Sequence, residues 1–357
     1  IGGFIGWIIS NTNISMTVSN SINNGNVTGS KNYVGGFVGY VGAINMTFTI
    51  SDSTNCGNIK GGFGWYGIGG FVGYMQNGPN VIMIIANSTN NGSVTGGYGV
   101  GGFFGRVFHN TNMTMTIANS INNGSIHGNN QYVGGFVGDI SGNTIITLTI
   151  SNSTNNGNVT GSGEYVGGFV GLISGNTDMT IIISNSINSY SSIGNYNYVG
   201  GLIGHIYDNT NTAMTIANST NKGSVNGSCY VGGFVGSISN NIDMTIDLSN
   251  IANSGIVTGG YWVGGAVGRI EYNTNVIITL YDTINNEIVT GVKCIGGFVG
   301  FISGCTNVTM SISNSINNGN ANGTSNDIGG FLGYIGSSSV TMTISNSINN
   351  GNVTGSS

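Results

Sequence analysis

Hydrophobic and polar residues alternate most regularly in the segment 145–151. Ile146, Leu148 and Ile150 are separated there by threonines, which is the pattern of a strand with one buried face. The positions of Leu148 and Ile150 stay apolar each time the segment returns, 32 to 35 residues further along the chain. We therefore expect these columns to point inward and to form one continuous core.

A second pattern, Val-Gly-Gly-Phe-Val-Gly at 133–138, marks the repeat. Its eleven copies start at residues 1, 34, 68, 100, 133, 166, 199, 231, 263, 295 and 328, so that 1–357 is a single repeat array. A fixed period of this length indicates a stacked architecture. Abundant glycine and the lack of a 3.6-residue pattern argue against helix. The sequence predicts an all-β fold, a parallel β-helix-like β-solenoid of eleven rungs, each one ~33-residue repeat with about three short strands.

The Gly-Gly strand leaves two interpretations open. In a regular strand Phe136 and Ile140 would point to the same face and be buried there. Val133 and Val137 do not share that face, yet they are apolar as well. Either the glycine pair introduces a bulge that redirects Val133, or the strand is covered on both faces. In the second case the Val137 column would be an exposed apolar stripe, which usually marks an interface.

Asparagine recurs two residues after the Ile150 position. Its parity predicts an inward-facing asparagine ladder, structural rather than ligand-binding, whose amides hydrogen-bond between rungs and whose glycosylation sequons are protected. The asparagines of this predicted ladder are Asn20, Asn119, Asn152, Asn185, Asn218, Asn314 and Asn346. Three residues further on, the position of Asn155 is asparagine in all eleven copies.

Composition and charge exclude several functions. A hydrophobic fraction of 39%, placed periodically, argues against disorder. Six scattered Lys and Arg residues form no basic face for nucleic acid, and no apolar run is long enough for a membrane span. With 66 glycines, one proline and no visible leader, the chain is expected to be a segment of a longer array or a polymerising subunit.

The reactive side chains do not form a recognisable catalytic or metal-binding set. The four cysteines and three histidines lie at different phases of the repeat, and no carboxylate pair stands out. The sequence thus predicts no enzyme, no catalytic residue, no metal and no cofactor, and free thiols throughout.

Two outward columns suggest ligands. Aromatic residues precede the Gly-Gly strand and could stack sugars, although rung-on-rung stacking is the favoured explanation. They are Tyr33, Tyr132, Tyr165, Tyr198, Tyr230 and Trp262. Thr-x-Thr pairs such as Thr114/Thr116 and Thr147/Thr149 would suit an ice-binding face, but Ile82/Ile84, Ile182 and Asp247 interrupt them.

The repeat resembles the GLUG-motif repeats of microbial surface and secreted proteins. The resemblance rests on Asn-Ser-Thr-Asn-Asn-Gly-Asn-Val-Thr-Gly at 152–161, followed by Val-Gly-Gly-Phe-Val-Gly at 166–171, with Gly-Leu-Ile-Gly at 201–204 nearest the core tetrapeptide. This chain departs from the pattern by an extra Thr-rich strand in each copy. The resemblance implies an extracellular, β-solenoid-like, non-catalytic module.

From these features we expect an extracellular or cell-surface structural protein. It would form or decorate a fibre or stalk, associating end to end or through the apolar stripe. Its glycosylation candidates lie in the turn before the Thr-rich strand, at Asn13, Asn45, Asn112 and Asn307. The alternatives are a carbohydrate-binding adhesin and an ice-binding solenoid.

Overall fold

The chain coils into a β-solenoid of eleven rungs, as the sequence predicts. A computed structural model describes residues 1–10, 13–30, 33–64, 67–337 and 339–356, and all regular secondary structure in these ranges is β-strand. Each strand pairs in parallel with its equivalents in the preceding and following rungs. Residues one repeat apart therefore lie directly above one another, as Val137 and Val170 do.

Five sheets, numbered here in chain order within a rung, run the length of the coil. Sheet 1 consists of Val34–Gly35, Ile68–Gly69, Val100–Gly101, Val133–Gly134, Val166–Gly167, Val199–Gly200, Cys229–Gly232, Tyr261–Gly264, Lys293–Gly296 and Ile328–Gly329. Sheet 2 consists of Ile5–Ser10, Val38–Ala43, Val72–Gln76, Phe104–Phe108, Val137–Ser141, Val170–Ser174, Ile203–Tyr207, Val235–Ser239, Val267–Glu271, Val299–Ser303 and Leu332–Gly336.

Sheet 3 contains the longest strands. They are Ile14–Ser19, Met46–Ser51, Pro79–Ala86, Thr111–Ala118, Thr144–Ser151, Thr177–Ser184, Thr210–Ala217, Ile242–Ser249, Thr274–Tyr281, Thr306–Ser313 and Val340–Ser345.

Sheets 4 and 5 are built from strands of two or three residues. Sheet 4 consists of Ile22–Asn23, Thr54–Asn55, Thr89–Asn90, Ile121–Asn122, Thr154–Asn155, Ile187–Asn188, Thr220–Asn221, Ala252–Asn253, Ile284–Asn285, Ile316–Asn317 and Ile348–Asn349. Sheet 5 consists of Val27–Thr28, Ile59–Lys60, Val94–Gly96, Ile126–Gly128, Val159–Gly161, Ser192–Gly194, Val225–Asn226, Val257–Thr258, Val289–Gly291, Ala321–Gly323 and Val353–Thr354.

A rung thus has five strands, where the sequence predicted about three. The Gly-Gly segment divides into a strand of sheet 1 and a strand of sheet 2, because the chain bends at Gly135 and Phe136. A Cβ atom added to Gly135 would lie 2.1 Å from the carbonyl oxygen of Gly168 in the next rung. Only glycine allows the backbones to approach so closely at this corner.

The bend resolves the two interpretations of the Gly-Gly strand. Val133 belongs to a small core between sheets 1 and 5, together with Val159 and its equivalents. Val137 belongs to the large core between sheets 2 and 3, with Phe136, Leu148 and Ile150. The expectation of an exposed stripe at the Val137 column is therefore wrong, because Val38, Val72, Phe104, Val137, Val170, Ile203, Val235, Val267 and Val299 are fully buried.

Phenylalanine rings form a ladder inside the large core. Phe37, Phe71, Phe103, Phe136 and Phe169 stack with their centroids 4.7–4.9 Å apart and their planes within 7° of parallel. The exposed ring of Phe4 stacks on Phe37 at the end of this ladder. The centroid spacing equals the distance between hydrogen-bonded strands, so the sheet sets the stacking distance. Leu202 and Ala266 take the phenylalanine position in two later rungs and are also buried.

Candidate functional site

The interior contains an uninterrupted asparagine ladder at the Asn155 position. Nδ2 of each residue donates a hydrogen bond to Oδ1 of its equivalent in the next rung, at 2.7–2.9 Å, from Asn23 through to Asn349. The second N–H of Asn155 donates to the Gly157 carbonyl at 2.9 Å. Because the side chains from Asn23 to Asn317 are buried and their hydrogen bonds are made within the ladder, they have a structural role.

The predicted inward ladder at the Asn152 position is wrong. Asn20, Asn119, Asn152, Asn185, Asn218, Asn314 and Asn346 are all exposed. Their φ angles lie between +47° and +51°, which places them at a left-handed corner where sheet 3 ends. That conformation breaks the two-residue alternation on which the prediction relied, and asparagine tolerates it well. The sequons at Asn152 and Asn218 are consequently not protected by burial.

A second buried asparagine column lies between sheets 2 and 3 and was missed from the sequence. Asn143 donates from Nδ2 to Oδ1 of Asn176 at 2.9 Å, and its own Oδ1 accepts from the backbone N–H of Asn110 at 2.8 Å. The column comprises Asn110, Asn143, Asn176, Asn209, Asn241 and Asn273, all buried. The recurrence of asparagine at one phase of the repeat is the signal in the sequence that could have identified this column.

The glycosylation candidates lie on the surface. Asn13, Asn45, Asn112 and Asn307 are exposed. The last three adopt φ angles of +51° to +53° near the start of sheet 3. Nδ2 of Asn112 donates to Oδ1 of Asn80 at 2.7 Å. Since a glycosylated amide keeps one N–H, this contact does not prevent modification, and glycosylation stays a prediction.

The predicted aromatic column forms a stack on the outer surface beside sheet 2. Tyr132, Tyr165, Tyr198, Tyr230 and Trp262 follow one another with ring centroids 4.7–5.3 Å apart. Each has a φ angle between +57° and +66°, a strained conformation for an aromatic residue. Tyr33 lies outside this stack and contacts Tyr40 and Tyr74 in a separate cluster. Rung-on-rung stacking therefore accounts for most of the column, and its rings are partly covered by one another.

An ion pair lies among the outward side chains of sheet 2. Arg106 Nε is 2.5 Å from Asp139 Oδ2, and Ser141 Oγ donates to the same oxygen at 2.9 Å. Asp139 is fully buried, and its Oδ1 has no hydrogen-bond partner among the described residues. Burial raises the pKa of Asp139, and the neighbouring guanidinium only partly opposes this effect.

His205 fills the adjacent part of the same surface. Its imidazole stacks on Tyr198 with centroids 4.2 Å apart, and its Nε2 lies 2.9 Å from Ser239 Oγ. Burial, reinforced by the positive charge of Arg269, lowers the pKa of His205 well below its usual value. Arg269 in turn lies over the Tyr230 ring at 4.0 Å and pairs with Glu271 at 2.7 Å. These contacts bury the imidazole and leave its Nδ1 without a hydrogen-bond partner among the described residues.

The thiols lie apart from one another and differ in exposure. Cys56 is exposed, Cys229 is partly exposed, and Cys294 and Cys305 are buried. Within the described ranges, no three His, Cys, Asp or Glu side chains cluster so as to bind a metal ion. The same residues include no helix that is long and apolar enough to cross a membrane.

Comparison with known proteins adds no homologue. No family model matches the chain, and no curated protein or solved structure is significantly similar to it. The resemblance to GLUG-motif repeats accordingly stays a prediction.

Proposed function

We propose that the chain is a non-enzymatic structural repeat protein that forms a stiff segment of an extracellular fibre or stalk. The observation that carries this proposal is the Asn155-position ladder, which is continuous from the first rung to the last. A buried amide ladder and a continuous core resist bending at any single rung, because no rung boundary lacks these contacts. The same continuity supports the expectation, drawn from the sequence, that the protein has a structural role.

The ladder also has a direction, which supports association end to end. Each Nδ2 donates towards the following rung, so Asn349 has an N–H to offer to any further rung of the same kind, on this chain or on a second copy. Asn23 Oδ1 is the matching acceptor at the other face. Such a head-to-tail contact is heterologous and does not close on itself, so it produces filaments rather than dimers.

Sedimentation velocity and negative-stain microscopy of the 357-residue chain test this proposal. We expect rods whose length increases with protein concentration. Asn349→Lys should shorten them, because an ammonium group would then face the edge strands of the next copy. Asn350→Lys is the matched control, since Asn350 is exposed and its Nδ2 donates to Oδ1 of Asn318 in the preceding rung, away from the end that would meet a second copy. Particles of one fixed length at every concentration would contradict end-to-end association.

Glycosylation and location need a separate measurement. Peptide mass spectrometry of the protein from its native source should find glycans at one or more of Asn13, Asn45, Asn112 and Asn307. Labelling of intact cells with an antibody to the chain should stain the outside. Recovery of the unmodified protein from the cell interior alone would contradict the extracellular part of the proposal.

A further inference from the structure

The outer aromatic stack ends at Trp262, although the backbone that supports it continues. Cys294 and Asp327 take the next two positions of the column and have φ angles of +58° and +63°, within the range of the aromatic members. Their side chains therefore leave the backbone in the same direction as the rings do. Both are too short to fill the space that a ring occupies in the preceding rungs.

A groove of about 410 Å³ occupies this vacancy. Its volume falls within the range of small-molecule sites, roughly 300–1,000 Å³. Trp262 forms one end, and the Phe301 and Tyr334 rings, stacked with centroids 5.1 Å apart, line a wall. Tyr261, which is 44% exposed, stands at its edge. The positions of Cys294 and Asp327 are one rung apart, about 4.8 Å. The space that they leave open can therefore hold one flat ring of a ligand against Trp262.

Polar groups complete the groove. Lys293 Nζ lies 3.4 Å from Asp327 Oδ2, and both side chains remain partly exposed to the groove. Burial raises the pKa of Cys294 to about 11, so this thiol stays protonated at neutral pH and adds no charge. The site therefore combines aromatic faces with one ammonium donor and one carboxylate acceptor, whose charges balance.

We propose that this groove binds a pyranose unit of a neutral saccharide. Axial C–H groups of a gluco-configured ring would pack on the Trp262 face that Tyr230 leaves uncovered, beside the Phe301 ring, which meets Trp262 edge-on with centroids 5.6 Å apart. The sugar hydroxyls would bond to Asp327 and Lys293. A phosphate or other anion fits less well, because Asp327 already neutralises the only cation in the groove lining. An aromatic ligand would fill the vacancy but leave the polar pair unused.

Titration of the chain with cellohexaose and with chitohexaose tests the proposal, read by calorimetry and by intrinsic tryptophan fluorescence. We expect saturable binding with a dissociation constant in the millimolar range or below. Cys294→Tyr should weaken it by at least about tenfold, which corresponds to ~1.4 kcal/mol. The new ring would extend the stack and fill the groove, so the variant should melt at or above the temperature of the parent chain.

Cys229→Tyr is the matched control. Cys229 lies two rungs from Lys293 in the same column, and its neighbour Tyr261 shows that this position accepts a tyrosine. Binding should be unchanged in this variant. If Cys294→Tyr does not fold, Asp327→Tyr closes the same groove from the next rung.

Three results would overturn the proposal. They are no binding of either hexasaccharide at millimolar concentrations, binding that survives closure of the groove, and preferential binding of p-cresol over both saccharides. The last result would assign the groove to an aromatic side chain of a protein partner. None of these results bears on end-to-end association, which is measured without saccharide.

Discussion

Nδ2 of Asn122 donates a hydrogen bond to Oδ1 of Asn155, one rung further on, at 2.7 Å. Nδ2 of Asn155 donates in the same way to Oδ1 of Asn188 at 2.8 Å, and also to the carbonyl oxygen of Gly157. Because these side chains are buried, each amide depends on its neighbours for hydrogen bonds that water cannot supply. The ladder therefore links every rung to the next through groups that are costly to leave unpaired.

Asn155→Ala should be strongly destabilising. The change leaves an N–H of Asn122, Oδ1 of Asn188 and the Gly157 carbonyl without these partners, and each unpaired buried group costs about 1–3 kcal/mol. We expect the free energy of unfolding to fall by at least about 2 kcal/mol, which equilibrium denaturation followed by circular dichroism would measure.

Asn156→Ala controls for the loss of an asparagine. Nδ2 of Asn156 also donates to the preceding rung, to Asn123 at 3.1 Å, but this contact lies at the surface. Its removal should change the free energy of unfolding by less than about 0.5 kcal/mol. Equal effects of the two substitutions would show that the inner ladder does not depend on burial.

Substitutions at Phe136 should separate ring stacking from simple volume. Leu202 and Ala266 replace phenylalanine elsewhere in the column, so both side chains are compatible with the fold. We expect Phe136→Leu to cost less than about 1.5 kcal/mol and Phe136→Ala about 3–5 kcal/mol, because alanine leaves a cavity between Phe103 and Phe169.

The same denaturation assay measures both changes. Phe63→Ala is the control, since Phe63 is 74% exposed and should contribute little. If Phe136→Leu proved as costly as Phe136→Ala, continuous ring stacking rather than filled volume would be what stabilises this part of the core.

The coil itself could be predicted from sequence because its signals are periodic. Alternation around Leu148 identified the inner face of sheet 3, and the recurrence of the Gly-Gly segment identified the rungs. Both signals depend only on which residues are apolar and how far apart they lie. The all-β solenoid follows from them without knowledge of any corner.

The corners could not be predicted, because they depend on backbone conformation. Asn152 was assigned to the interior by extending the parity of Ile150, but its φ angle of +48° turns the chain and exposes it. The residue that points inward is Asn155. Its position is asparagine in every copy of the repeat, but which way this side chain faces was not predicted from the sequence. Similarly, the bend at Gly135 sends Val133 and Val137 into different cores. The groove beside Trp262 forms because the next two rungs have Cys294 and Asp327 in place of an aromatic residue. The aromatic pattern alone did not show that this change opens a groove.

His205 should make stability fall as the solution is acidified. The pKa of this imidazole is lowered in the folded chain by burial and by Arg269, so protonation is more favourable after unfolding. Its contribution is complete above about pH 6.5, the usual value for histidine, and is lost as pH falls below it, by up to about 1.4 kcal/mol per pH unit. Tyr165, Tyr198 and Ser239 surround the ring and offer no carboxylate to stabilise the imidazolium.

His205→Leu should flatten this dependence between pH 7 and pH 5. Leu172 lies in the same column one rung earlier, so leucine fits the site. Asp139 contributes with the opposite sign, because its raised pKa favours the folded state as pH falls, but it is common to both chains. His127→Thr removes a histidine at a position that is threonine in the two adjacent rungs, and serves as the control. Parallel stability curves for the parent chain and His205→Leu would contradict this account.

The Thr-x-Thr face of sheet 3 should not bind ice. An ice surface is a regular lattice, and the outward columns here are irregular: Thr149 pairs with Ile182, and Thr215 pairs with Asp247. We expect no thermal hysteresis from the purified chain at millimolar concentration. If hysteresis were found, Thr116→Leu and Thr149→Leu should be compared with Thr154→Leu, which lies in sheet 4 between Ile121 and Ile187. Loss of hysteresis in the first two variants but not in the third would establish the threonine face as an ice-binding surface. Threonine also suits any solvated strand, so without that result its abundance on sheet 3 needs no ligand.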